Sequence, residues 1–93
     1  MSPTIRVEQC GPGRFQVTVT EGASKSTHRV SLSPDYYEKL TQKQVSQEVL
    51  IERSFQFLLK HEPKESILRE FDLPLIGRYF PDYEGKIRVR LAS

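Results

Sequence analysis

The sequence predicts an α+β domain in which an N-terminal three-stranded antiparallel meander packs against one long helix and two or three short C-terminal ones. Three observations carry this reading. Apolar residues alternate with polar ones across residues 5–32, they recur at helical spacing across 50–59, and a chain of 93 residues has room for one core, so 1–93 reads as a single domain.

The strands come first. Ile5 and Val7, then Phe15, Val17 and Val19, then Val30 and Leu32 occupy every second position, which in a strand places them on one face. Gly11-Pro12-Gly13 and Glu21-Gly22-Ala23-Ser24 separate the three runs, and both are rich in residues that accept turn dihedrals. Arg14, Gln16, Thr18, Thr20, Thr27, Arg29 and Ser31 fall on the opposite face, so one side of the sheet needs covering and the other suits water.

Helices supply the cover. Ser33 can cap free amides, Pro34 lacks an N–H where none is needed, and Asp35 suits the positive end of a helix whose packing residues are Tyr36, Tyr37 and Leu40. Ser46 caps a second helix running to about His61, where Pro63 stops it. Leu50, Ile51, Ser54, Phe55, Phe57, Leu58 and Leu59 cover so wide an arc of this helix that contacts on two sides are expected, the sheet on one and the C-terminal helices or a second subunit on the other. Residues 64–71 and 73–80, bounded by Pro63, Pro74 and Pro81, read as two short helices. The end obeys two periods at once. Ile87, Val89 and Leu91 alternate with Lys86, Arg88 and Arg90 as in an extra strand, whereas Phe80, Tyr83, Ile87 and Leu91 keep a helical spacing, so 86–93 is open between a strand, a helix and a loose end.

Composition narrows the function. Fourteen Lys+Arg against twelve Asp+Glu leave a net charge of +2, too small to imply a polyanionic partner. Cys10 is the only cysteine, so no intramolecular disulfide forms, and His28 and His61 lie too far apart in sequence to suggest a zinc cluster. No stretch approaches the roughly 20 apolar residues of a membrane span or reads as a signal peptide, so a cytoplasmic location is expected, with neither membrane nor metal as partner. No nucleophile with its base, carboxylate pair, metal set or cofactor loop is recognisable; the expectation is no enzyme, no catalytic residue and no cofactor. His28 shares parity with Val30 and Leu32 and reads as a half-buried structural histidine, and His61 as a cation at a helix C-terminus.

Two surfaces remain as candidates. Tyr79, Phe80 and Tyr83 pack three aromatics into five residues, a density suited to holding a protein partner. Arg78, Lys86, Arg88 and Arg90 form the only local basic cluster, and cations beside aromatics are what single-stranded nucleic acid binders use.

Residues 27–61, with the strand Thr27-His28-Arg29-Val30-Ser31-Leu32, a short helix and a second helix capped by Ser46, resemble ribbon-helix-helix DNA-binding proteins. That resemblance implies an obligate dimer whose paired ribbon would point Thr27, Arg29 and Ser31 into the major groove. Over a longer span, 27–84, the run Ser66-Ile67-Leu68-Arg69-Glu70-Phe71-Asp72-Leu73-Pro74 followed by Tyr79-Phe80-Pro81 and Tyr83-Glu84 is similar to short bacterial proteins of unknown function. It implies a bacterial cytoplasmic protein and transfers no site residue. The expected function is a small non-enzymatic interaction or regulatory module bound to another protein; the alternative is a DNA-binding transcriptional regulator of the ribbon type.

Overall fold

A computed structural model describes residues 3–92, with side chains to 91. Three strands open the chain: β1 (Thr4–Gly11), β2 (Arg14–Glu21) and β3 (Ser24–Ser31). Helices α1 (Pro34–Thr41) and α2 (Gln47–His61) follow, then a 3-10 turn at Lys64–Ser66, a short strand β4 (Glu70–Asp72), and helices α3 (Leu75–Tyr79) and α4 (Tyr83–Ala92). The architecture is α+β, with the meander and the single long helix as expected.

The meander is antiparallel throughout, pairing Val7 with Val17 and Val17 with His28. Gly13 takes a left-handed φ of +66° at the β1–β2 turn, and a Cβ there would sit 2.8 Å from the Leu32 carbonyl oxygen, so that position suits glycine alone. Phe15, Val17, Val19, Val30 and Leu32 are buried on one face and share one core cluster with Leu50, Ile51, Phe55, Phe57 and Leu58 of α2. The second side of α2 is taken by α4 and α1 of the same chain.

Both expected caps are present. Ser33 Oγ accepts the Tyr36 N–H and Ser46 Oγ the Val49 N–H, each at 3.2 Å. Ser46→Ala is therefore expected to cost about 1 kcal/mol, the usual loss for an N-cap oxygen. A chemical denaturation midpoint unmoved by that change would show that α2 begins without this bond.

One expectation fails in the C-terminal half and one open question is decided there. The sheet has four strands, not three, because residues 70–72 are extended within a segment expected to be helical. The backbone of β3 draws it in: Arg29 N–H donates to the Arg69 carbonyl at 2.6 Å and Leu73 N–H to the Ser31 carbonyl at 2.9 Å, in a parallel pairing that seats Phe71 beside Val30. Sheet completion outweighs local helical preference there. Residues 86–92, left open between a strand, a helix and a loose end, continue α4; Ser93 lies outside the described residues. Helical spacing prevails because Tyr83, Ile87 and Leu91 then turn together toward the core, leaving Val89 70% exposed.

Candidate interaction surfaces

The fourth strand and the last helices reshape both candidate surfaces. Tyr83 is fully buried and does not belong to a partner surface, contrary to expectation. Its hydroxyl lies 2.6 Å from Ser54 Oγ, and Ser54 in turn donates to the Leu50 carbonyl at 2.7 Å, so the ring anchors α4 on α2. Tyr79 is the opposite case, 66% exposed at the end of α3, with Phe80 half-buried beside it.

The basic cluster also divides. Lys86, Arg88 and Arg90 would share one face of a strand, but a helix turns about 100° per residue, so Arg88 points away from the other two. Arg88 lies over α1, its guanidinium 3.5 Å from the Lys39 carbonyl, whereas Lys86 and Arg90 line a shallow hollow with Pro81, Gly85 and Val89. Arg78 sits in the last turn of α3. No single basic stripe results.

Thr27, Arg29 and Ser31 do share the open face of the sheet. Arg29 stands between Gln16 of β2 and Glu70 of β4, and Ser31 between Arg14 and Asp72. Since β4 pairs with β3 over Arg29–Ser31, the end of β3 that carries Arg29 and Ser31 has no free edge for an intermolecular ribbon, and the two carboxylates of β4 temper the positive charge beside it.

The surface that the fold assembles is a groove. Leu58 of α2, Ile67 and Leu68 after the 3-10 turn, Phe71 of β4, and Ile76 and Phe80 around α3 line an open cavity of about 410 Å3. Leu68 is 47% exposed at its lip, Tyr79 flanks it, and Glu62 supplies a carboxylate. Phe80 in the wall is backed by two rings outside the lining: His61, expected only as a helix-end cation, lies 5.1 Å from the Phe80 ring with 29° between their planes, and 4.6 Å from Phe57. The sequence points to Tyr79 and Phe80 on this surface but not to Leu68, because Ile67, Leu68 and Phe71 read together as the packing residues of a short helix and only the extended chain leading into β4 turns Leu68 outward.

Two buried polar groups flank these elements. His28 is 1% exposed rather than half-buried; its Nδ1 donates to the Leu68 carbonyl at 2.8 Å, which leaves Nε2 to accept from the Ser26 hydroxyl, also at 2.8 Å. The hydroxyl–imidazole–carbonyl order is that of an activated serine, yet His28 is buried and neither Ser26 nor His28 lines any of five well-formed hollows of the surface. What the geometry accomplishes is to tie β3 to the chain entering β4. Lys64 is 4% exposed and reaches Glu65 and Glu21, the latter at 3.4 Å, with its amine held above the ordinary range first by the hydrogen bond to Glu65. It pins the 3-10 turn to the end of β2.

Among the described residues no group of three or more His, Cys, Asp or Glu side chains is placed to hold a metal ion, and no helix is long and apolar enough to cross a membrane. No family model, curated protein or solved structure matches the chain.

Proposed function

We propose that this chain is a non-enzymatic interaction module, and that its contact is the groove between α2, the 3-10 turn and α3. The observation that carries the reading is an open apolar groove of about 410 Å3 with Leu68 and Tyr79 left exposed on its lip. A lone exposed leucine is ordinary on a small domain, but one that continues into a concave apolar wall marks a binding site. Apart from Glu62 and Ser66 the lining side chains near the groove floor, Leu58, Ile67, Phe71, Ile76 and Phe80, are apolar, so the occupant is a large apolar side chain of a protein or peptide. Glu62 on the wall favours a lysine or arginine beside that side chain.

Selection from a displayed peptide library tests this directly. Enriched peptides are expected to share a large apolar residue next to a basic one, and to bind Leu68→Asp at least tenfold more weakly than the parent. Leu68 is exposed enough for that change to spare the fold. Enriched peptides that bind Leu68→Asp and the parent alike would sink the groove reading.

The DNA-reading alternative rests on Thr27, Arg29 and Ser31 sharing one open face. Duplex DNA belongs in the same assay as a second probe. Saturable duplex binding that weakens steeply with salt and is lost in Arg29→Ala would replace the peptide reading with the DNA one.

A further inference from the structure

β1 is the outermost strand of the sheet, and the direction of its backbone groups follows from bonds at the other edge. Arg29 N–H and Ser31 C=O are engaged toward β4, so by antiparallel alternation His28 and Val30 face β2. Their partners Val17 and Phe15 face back toward β3, which leaves Gln16, Thr18 and Thr20 facing β1, opposite Glu8, Arg6 and Thr4. The N–H and C=O groups of Ile5, Val7 and Gln9 consequently point out of the sheet. Among the described residues nothing hydrogen-bonds to them.

Such an edge is a template for another strand unless it is blunted. β1 carries no proline, and its one irregularity lies between Gln9 and Gly11, at the far end. Its charges instead select a partner. Arg6 and Glu8 sit on the open face 3.0 Å apart, flanking Val7.

We propose that two copies of this chain pair through β1, antiparallel about a two-fold axis at Val7, to make a continuous eight-stranded sheet. In that register Val7 exchanges both backbone hydrogen bonds with Val7 of the second copy, and Ile5 does so with Gln9. Arg6 stands directly opposite Glu8 of the second copy and Glu8 opposite its Arg6, so each carboxylate lies between two guanidinium groups. Centring the axis on Ile5 would set Arg6 against Thr4 instead, and parallel pairing in register would bring like charges together. Only the Val7-centred register is self-complementary in charge as well as in backbone direction, as a two-fold interface requires. Below the sheet, the half-buried Val7 side chains of the two copies meet and lose their remaining contact with water.

Sedimentation equilibrium of the whole chain tests this. The parent is expected to dimerise reversibly. Val7→Pro removes an N–H that no described residue uses, which an edge strand tolerates, so the variant should keep the parent's circular dichroism while its dimer dissociation constant rises tenfold or more. Arg6→Glu and Glu8→Arg should each weaken the dimer, and the double swap Arg6→Glu/Glu8→Arg should restore it, because the register then pairs the same charges reversed. The proposal is overturned by a parent that stays monomeric at the highest soluble concentration, by a dimer indifferent to Val7→Pro, or by a double swap no tighter than either single change.

Discussion

Phe55→Ala is expected to lower the free energy of unfolding by about 3–5 kcal/mol, the usual loss when a buried phenyl ring is truncated and its cavity only partly collapses. Phe55 is wholly buried on the sheet-facing side of α2, its ring 5.4 Å from the His28 imidazole of β3 and 6.1 Å from the Phe71 ring of β4. The void would open where helix, meander and parallel strand meet, and three separate elements would have to move to fill it. Domains of this length are stable by only about 5–14 kcal/mol, so the loss is a large fraction of the whole. In urea the midpoint should fall while the slope holds, since the native state would bury nearly the same surface. Tyr79→Ala, which removes a ring of similar size from an exposed position, should stay within about 0.5 kcal/mol of the parent. If the two alanine variants proved equally stable, the assignment of one ring to the core and the other to the groove lip would be wrong.

That contrast between two aromatics also marks the limit of what the sequence shows. Alternation from Ile5 to Leu32 was enough to set the inner face of the meander, because strand parity is fixed at two and one face alone is covered. Ser33 and Ser46 announced their helices through chemistry confined to four residues. β4 was not legible: it is three residues long with one apolar side chain, Phe71, and it is extended because β3 offers bonds to Arg69 and Leu73. Tyr83 was misassigned by proximity, since five residues holding three aromatics look like one surface, whereas a break between α3 and α4 sends Tyr79 outward and Tyr83 inward. The groove and the outward amides of β1 share this character. Leu58, Phe71 and Ile76 come together only through packing, and which backbone groups of β1 are unpaired depends on bonds made two strands away. Propensity is local; a concave surface and a free edge are properties of the assembled sheet.

The Ser54–Tyr83 hydroxyl pair yields the second large effect, and its asymmetry can be read from the donors. Ser54 spends its proton on the Leu50 carbonyl, so Tyr83 must donate to Ser54 Oγ, and both side chains are wholly buried. Ser54→Ala strands a buried phenol donor and should cost about 1–3 kcal/mol, whereas Tyr83→Phe leaves the serine proton engaged and should cost about 0.5–1.5 kcal/mol. With both groups removed no donor is stranded, so Ser54→Ala/Tyr83→Phe should be less destabilised than the sum of the singles, a coupling that a double-mutant cycle measures. Alkaline pH gives an independent check. Burial pushes the Tyr83 phenol above its ordinary value of 10.0, and burial together with the hydrogen bond to Glu84 does the same for Tyr36. The folded chain then holds protons that the unfolded chain releases, so stability is unaffected below pH 10 and falls as pH rises beyond it. Tyr83→Phe should fall less steeply there and keep the shares due to Tyr36 and to the Lys64 amine. Parallel alkaline declines in parent and variant would mean that the Tyr83 hydroxyl is solvated, and an additive double-mutant cycle would mean that α4 is held to α2 by the ring alone.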